Sequence, residues 1–316
     1  MRILVTGACG YKGTVLVPKL LSAGHEVTAV DTMWFGNFLE NTIYNRQSLT
    51  VIKGDVRDPH LLDLSDHGAV IHLASIANDP CGDLNPKLTW EVSVLATMQL
   101  AEKALRAGVP RFIYASSGSV YGISEEANVT EDLPLFPLSE YNKTKMCAER
   151  VLLSYADKMS IQIVRPATVC GISPRMRLDV SVNLLTMAAL DTQKITVFGG
   201  KQVRPNIHID DVTDLYMFLL DRPDLTGVYN AGFENMSILE IAEAVAAVIP
   251  ADIAVTPSED PRSYRLSSDK LLATGFKPKK TVANAVSEII LAYQSGSLKR
   301  EDRFHNLKWM QAQGFA

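Results

Sequence analysis

The sequence predicts an α/β fold with a doubly wound parallel sheet, and three observations lead to this fold class. Short apolar segments alternate with helical patterns over the first half of the chain, which is typical of parallel β-α-β units. A glycine-rich loop directly follows the first apolar segment, and a helical pattern follows the loop. Beyond Pro166 the alternation is looser. We expect those residues to form a smaller C-terminal α/β lobe and to return some elements to the main sheet.

The composition narrows the class of protein. The chain has 316 residues, of which 47% are hydrophobic and 21% are charged, and its formal net charge is −4. It contains no basic cluster and no apolar run of about 18 residues. We therefore expect neither a nucleic-acid partner nor a membrane partner.

The cysteines and histidines give no indication of a metal site. The four cysteines show no CxxC spacing, and no two of the six histidines are four residues apart. Reduced thiols are typical of cytoplasmic proteins, so we predict a cytoplasmic location and no bound metal. His72 and His208 lie in apolar strand patterns, and we expect both to be core residues.

Six predicted strands and the helices between them account for the first part of the chain. The strands cover 3–6, 26–30, 50–55, 69–74, 111–115 and 161–165. One helical pattern ends near Leu21 and contains Pro18, where we expect a slight bend. A second covers 86–107, and a third begins near Ser139, which is a suitable N-cap.

The elements after Pro166 are shorter. The predicted strands are 195–198, 206–209 and 227–230, and the predicted helices are 180–190, 211–220 and 239–248. Residues 295–316 are polar with scattered aromatic side chains, and this pattern predicts no role for them.

The glycine loop at residues 7–13 has the spacing GxxGxxG between a strand and a helix. Glycines there let the backbone turn tightly and approach a pyrophosphate, which binds at the helix N-terminus. This context indicates a dinucleotide-binding Rossmann domain. Asp31 ends the second strand, and no arginine lies between Asp31 and Arg46. A carboxylate at this position accepts the adenine-ribose hydroxyls and repels a 2′-phosphate, so we predict NAD as the cofactor.

Tyr141 and Lys145 are four residues apart in a predicted helix, so their side chains share one face. Ser116 and Ser117 follow the fifth strand, at the sheet edge where α/β proteins bind ligands. We expect the Lys145 ammonium to lower the pKa of the Tyr141 phenol. A serine hydroxyl can hold a substrate oxygen while the proton moves. Together these groups could take a proton from a sugar hydroxyl as a hydride leaves the same carbon.

Several motifs, in this order and spacing, resemble the extended short-chain dehydrogenase/reductases that act on nucleoside-diphosphate sugars, with UDP-glucose 4-epimerase the nearest pattern. They are TGACGYKG at 6–13, GDVRD at 54–58, HLA at 72–74, SSGSVYG at 116–122 and YNKTK at 141–145. The resemblance implies an NAD-binding Rossmann domain with the catalytic residues over 1–166, and a mainly substrate-binding lobe over 167–316. It also implies a homodimer formed through the helices around 86–107 and 139–155.

The same resemblance implies the site residues. Ser117, Tyr141 and Lys145 would be catalytic, and Lys145 would also hold the nicotinamide ribose. The cofactor-binding residues would be Gly7, Gly10, Tyr11, Lys12, Gly13, Asp31, Asp55, Val56, Leu73, Ala74, Ser75, Ser93, Ser116, Tyr141, Lys145 and Ala167. The substrate-binding residues would be Ser117, Tyr141, Thr168, Arg175, Asn183, Arg204 and Arg262, with Arg265 as an alternative to Arg262. Ser93 and Thr168 stand where the family usually has asparagine.

Departures from the family pattern narrow the implied reaction. The family's 4,6-dehydratases carry Asp-Glu where this chain has Gly118 and Ser119. Its 3,5-epimerases need a cysteine where Gly118 stands. Hydride chemistry at one carbon remains, and we predict an NAD-dependent nucleoside-diphosphate-sugar epimerase that acts through a 4-keto intermediate.

Two alternatives stay open from the sequence. One is a sugar-nucleotide 4-dehydrogenase or 4-ketoreductase, because residues 171–179 are similar to a segment of 4-dehydrogenases that act on GDP-linked heptoses. The other is a non-catalytic NAD-binding regulator. Such relatives usually lose the tyrosine or the lysine, and this chain has both Tyr141 and Lys145.

Overall fold

A computed structural model of the protein describes residues 1–40, 46–58, 60–124, 126–258 and 263–315. Its strands are β1 Arg2–Thr6, β2 Glu26–Asp31, β3 Leu49–Lys53, β4 His67–His72, β5 Arg111–Ala115, β6 Ser160–Pro166, β7 Thr168–Cys170, β8 Lys194–Phe198, β9 Val203–His208, β10 Gly227–Ala231, β11 Glu234–Ser237 and β12 Asp252–Thr256. Its α-helices are α1 Gly13–Ser22, α2 Asp79–Leu84, α3 Pro86–Trp90, α4 Ala96–Arg106, α5 Glu140–Leu153, α6 Ser181–Thr192, α7 Ile209–Asp221, α8 Ile238–Ala246, α9 Asp269–Ala273, α10 Val282–Gln294 and α11 Asn306–Ala312.

Within the described residues, seven strands form one parallel sheet in the order β10-β6-β5-β4-β1-β2-β3. The predicted fold class is therefore confirmed. The chain order reverses between β1 and β4. In sheets of this kind, ligands bind in the crevice at the carboxyl ends of the strands beside such a reversal.

Apolar side chains cover both faces of the sheet, because successive residues of a strand point to opposite sides. On one face, Val5 of β1 belongs to a buried cluster with Leu16 and Leu20 of α1. On the other, Leu4 belongs to a cluster with Leu152 of α5. The helix α1 continues through Pro18. Because the sheet is buried on both faces, its strands appear in the sequence as continuous apolar runs.

Residues after Pro166 form two further sheets. Their strand orders are β11-β9-β7 and β12-β8, and Val182 of α6, Ile241 of α8 and Val286 of α10 belong to a buried cluster with Ile195 of β8. The strand β10 pairs instead with β6 and so extends the main sheet.

The helix predicted over 86–107 is not continuous in the structure. A π-helical turn, Glu91–Leu95, separates α3 from α4. Such turns are frequent at functional sites. Val92 of this turn lines the cavity described below, whereas Ser93 is fully buried.

Both histidines predicted to be core residues are buried. His72 lies between the hydroxyls of Thr6 and Thr97, at 2.6 and 2.9 Å. His208 contacts Glu288 at 3.1 Å, where the Lys280 ammonium bonds Asp210 and Glu288 at 2.7 and 2.6 Å. The carboxylates of Asp210 and Glu288 therefore belong to an ion-pair network with Lys280. In the described part of the chain, no helix combines the length and apolar character needed to cross a bilayer.

Candidate active site

A cavity of about 560 Å³ opens at the carboxyl ends of β1, β2, β4, β5 and β6. Most residues predicted to bind cofactor or substrate line it. They are Gly7, Gly10, Tyr11, Lys12, Gly13, Asp31, Asp55, Val56, Leu73, Ala74, Ser75, Ser116, Ser117, Tyr141, Lys145, Ala167, Thr168, Arg175 and Arg204. Ser93 and Asn183 are fully buried and do not line this cavity. Arg262 lies outside the described residues.

The glycine loop is crowded against the loop that follows β4. Gly7 has a φ of +67°, and a Cβ atom there would lie 2.7 Å from the backbone nitrogen of Ala74. A Cβ atom on Gly13 would lie 2.4 Å from the carbonyl oxygen of Ala8. Glycine at both positions keeps the backbone open at the start of α1. A dinucleotide pyrophosphate needs this kind of cradle.

The Tyr11 side chain joins the glycine loop to the segment after β7. Its hydroxyl donates to the Gly171 carbonyl at 2.7 Å and accepts from the Asn183 amide at 3.1 Å. Asn183 also donates to the Arg177 carbonyl at 2.8 Å. Asn183 was predicted to bind substrate, but its amide is used to fix these two backbone segments.

The carboxylates of Asp31 and Asp55 lie at the cofactor end of the cavity. Asp31 accepts hydrogen bonds from the backbone N–H groups of Cys9 at 2.9 Å and Met33 at 2.7 Å. Asp55 accepts from the Arg57 guanidinium, at 2.7 Å for the shortest bond. These contacts orient both carboxylates at the strand ends, where the sequence placed them.

Ser139 caps α5 by accepting from the Asn142 N–H at 3.2 Å. The helix then presents Tyr141 and Lys145 to the cavity. The Lys145 ammonium donates to the Ala115 carbonyl at 2.6 Å, next to Ser116. Ser117 lines the same cavity and lies close enough to the Tyr141 phenol to lower its pKa. The structure therefore brings Ser117, Tyr141 and Lys145 together.

The electrostatics of Tyr141 differ from our expectation. Burial raises the pKa of the phenol, and the hydrogen bond with Ser117 and the charge of Arg177 act in the opposite direction. The prediction that Lys145 lowers this pKa was wrong for the structure described. The ammonium lies 5.9 Å from the phenol ring centroid. Burial also lowers the pKa of Lys145 well below its usual value, and the charge of Lys12 adds to this effect.

Cationic side chains, among them Lys12, Arg175 and Arg177, line the cavity together with several aspartates. Burial lowers the pKa of Lys12 to about 8, and Arg177 contributes in the same direction. Arg177 forms a two-bond ion pair with Asp179 at 2.8 and 3.0 Å. Because positive charges in a partly closed cavity repel one another, this wall favours the binding of a polyanion.

The substrate end of the cavity includes residues from β7 and β9. Thr168 begins β7 and Arg204 lies in β9, and both line the cavity together with Tyr264. Arg265 is exposed and is not part of the wall. The substrate-binding role of Arg262 remains a prediction.

Sequence reasoning missed several residues of the cavity wall. Trp34 and Phe35 follow Asp31 closely, and an aromatic pair beside a ribose-binding position was a usable signal. Asn306 also lines the wall, but no local pattern marks it.

A family model matches residues 3–232, and its description is "NAD dependent epimerase/dehydratase family". The chain belongs to this family. The match covers more than half of the chain, including the glycine loop, Ser117, Tyr141 and Lys145. The protein is therefore an enzyme of an NAD-dependent family, as predicted, and NAD is its cofactor.

Individual relatives agree with this assignment. A UDP-glucose 4-epimerase of Lactobacillus helveticus is 28% identical over 314 residues, which cover 88% of this chain and 92% of the relative. The structure of MoeE5 in complex with UDP-glucose and NAD has a TM-score of 0.82 and 28% identity, over 94% of this chain and 100% of that one. UDP-glucuronic acid 4-epimerase from Bacillus cereus, in complex with UDP-glucuronic acid and NAD, has a TM-score of 0.81 and 27% identity, over 93% and 100% of the two chains. These comparisons support the predicted epimerase function in a family that also includes dehydratases.

Proposed function

We propose that the protein is an NAD-dependent epimerase that inverts C4 of a nucleoside-diphosphate sugar. One observation carries the proposal. The Ser117 hydroxyl, the Tyr141 phenol and the Lys145 ammonium share one cavity with a glycine cradle in which Gly7 and Gly13 leave no room for side chains. A proton acceptor and a dinucleotide site in one cavity are what reversible oxidation of a hydroxyl group requires.

Tyr141 acts as the proton acceptor in this proposal. NAD, when bound, supplies the hydride acceptor. The Tyr141 phenolate takes the proton of the C4 hydroxyl, and Ser117 holds the same oxygen. Arg177 and Ser117 favour the phenolate, and burial opposes it. When the 4-keto sugar presents its other face, Tyr141 returns the proton as the hydride returns to C4, and the configuration is inverted.

The cationic wall holds the diphosphate of the substrate. Arg204 and Thr168 line the cavity, and Arg262 was predicted to bind substrate as well. Arginine suits this task because its guanidinium group binds phosphate oxygens in pairs. The proposed substrate class is therefore a UDP- or GDP-linked sugar.

The proposal also includes a homodimer in the cytoplasm. Trp90 and Leu95, beside and within the π turn, and Met98 of α4 are exposed apolar side chains, which supports an interface on these helices. All four cysteines are free, which fits a reducing compartment. Light scattering during size-exclusion chromatography tests the dimer, and a monomer would exclude it.

The decisive experiment is a turnover assay on UDP- and GDP-sugars. We expect NMR to detect the C4 epimer and absorbance to detect no net NADH. We expect Tyr141→Phe to abolish turnover while NAD binding persists, and the control Tyr155→Phe to remain active. Stoichiometric ketone and NADH would instead identify a 4-dehydrogenase, the alternative suggested by residues 171–179. Full activity of Tyr141→Phe would exclude the proposed mechanism.

A further inference from the structure

Residues 301–315 cross the loop that follows Asp31. The Trp309 indole N–H donates to the Trp34 carbonyl at 2.8 Å. The Trp34 and Phe315 rings lie 4.3 Å apart between centroids. The Arg303 guanidinium donates to the Phe35 carbonyl at 3.4 Å. The C-terminal segment is therefore bonded to two residues of the wall at the cofactor end of the cavity.

The same segment is also bonded to the loop that carries Arg175 and Asp179. The Asn306 N–H donates to the Asp179 carboxylate at 3.2 Å, and the Leu178 N–H donates to the Phe304 carbonyl at 2.9 Å. The Asn306 side-chain carbonyl accepts from the Arg175 guanidinium at 2.6 Å. Residues 301–315 thus link two walls of the cavity.

Arg175 occupies an unusual environment at this junction. Its side chain is 2% exposed, and its guanidinium carbon lies 4.0 Å from the centroid of the Phe35 ring. Its Nε atom is buried without a hydrogen-bond partner, and Arg175 forms no salt bridge with any described carboxylate. A buried cation with a spare N–H group is costly unless a ligand satisfies it.

Arg175 also lies against the loop that follows Asp31. The Arg175 guanidinium lies over the ring of Phe35, four residues after Asp31, and both residues line the same cavity as Asp31. Asp31 is the residue predicted to hold the adenine ribose. Arg175 therefore contacts the loop that follows the predicted ribose-binding residue, although the sequence suggested a contact with the substrate.

We propose that Arg175 and residues 301–315 form a clamp that holds the adenosine-diphosphate half of NAD. Arg175 donates a charged hydrogen bond to the cofactor, and the C-terminal segment keeps Trp34 and Phe35 against it. NAD leaves only when this segment separates from the loop. This inference rests on the proposed function, because an epimerase must retain the reduced cofactor until the hydride returns.

The rate of NAD release tests the clamp. The full-length protein is loaded with isotope-labelled NAD, excess unlabelled NAD is added, and label retained on the protein is followed by rapid gel filtration. Trp309→Phe removes one donor and keeps an aromatic ring, and Asn306→Ala removes the partner of Arg175. Trp309→Phe deletes a partly buried hydrogen bond and Asn306→Ala a buried one, so we expect release to become at least about fivefold faster. Gln311→Ala, an exposed position on the same helix, serves as the matched control and should match the unchanged protein.

Two further measurements distinguish the loss of a clamp from a general loss of folded structure. The circular-dichroism spectra of both variants should match that of the unchanged protein, because neither change should unfold the chain. Hydrogen–deuterium exchange in residues 301–315 should slow when NAD is added to the unchanged protein. Unaltered NAD release in both variants, or unaltered exchange in this segment, would overturn the clamp alone. A protein that binds no NAD would overturn the proposed function as well.

Discussion

The Ser119 hydroxyl donates a hydrogen bond of 2.5 Å to the side-chain carbonyl of Asn142. It also lies 2.7 Å from the Ser117 hydroxyl. Because a hydroxyl has only one proton to donate, Ser119 accepts from Ser117. The Ser119 backbone N–H also donates to the Ser117 oxygen at 3.2 Å. Ser119 and Asn142 therefore fix the direction of the hydrogen bonds at the candidate catalytic serine.

Removing this support should slow catalysis without abolishing it. We expect Ser119→Ala to lower kcat about fivefold to tenfold, because Ser117 loses one hydrogen-bond partner and with it a fixed orientation. Ser119→Thr retains the hydroxyl and should restore most of the rate. Steady-state kinetics with the epimerised sugar nucleotide provide the measurement. An equal loss in both variants would contradict the role of the hydroxyl.

Arg177 should contribute to the pH dependence of the reaction. Its positive charge lowers the pKa of Tyr141, against the larger effect of burial. Replacing it with glutamine removes that charge and leaves Asp179 uncompensated, and both changes raise the pKa of the phenol. If the phenolate is the base, kcat/KM rises with pH, and Arg177→Gln should move this rise to higher pH. Arg106→Gln, an exposed arginine of α4, should leave the profile unchanged. A profile that does not move in Arg177→Gln would contradict this role.

NAD binding should require that residue 7 has no side chain. Gly7→Ala would place a methyl group 2.7 Å from the Ala74 backbone, so the cradle must open. Gly24 also has a positive φ, +82°, but nothing lies within 4 Å of its Cβ position. Both substitutions strain the backbone by about 1 kcal/mol. Only Gly7→Ala should weaken NAD binding, by at least about tenfold, as measured by isothermal titration calorimetry. A similar loss in Gly24→Ala would show that strain alone is responsible.

The ion pair of Arg165 with Glu149 should be important for stability. Both side chains are buried, and their shortest contact is 2.6 Å. Ser116 donates to the same carboxylate at 2.5 Å. Glu149→Gln leaves the Arg165 charge unpaired and should lower the free energy of unfolding by about 3–5 kcal/mol. Urea denaturation measures the change.

The matched control is Glu102→Gln, which breaks an exposed pair with Arg106. We expect it to change the free energy of unfolding by at most about 1 kcal/mol. If the two variants were equally stable, the buried pair would not have the stabilising role assigned to it.

Much of the candidate site was predictable because its signals are local. The strand, the glycine loop and the helix are consecutive, and Tyr141 and Lys145 share a helical face through their spacing alone. The position of Asp31 follows from the end of β2 in the same way. The pKa of Tyr141 was not predictable, because burial and the charge of Arg177 both arise from segments distant in sequence. The π-helical turn was also missed, since the apolar pattern of 86–107 is compatible with a continuous helix.

The sequence by itself determined the parallel sheet, the NAD-binding loop and the residue types of the proton-transfer group, because each is encoded within about 30 residues of contiguous chain. Only the tertiary structure decided that Asn306 and Trp309 reach the cofactor end of the cavity. Their partners Arg175 and Trp34 are 131 and 275 residues away. Contacts across such separations depend on how the whole chain packs around its sheet, and no local periodicity records them.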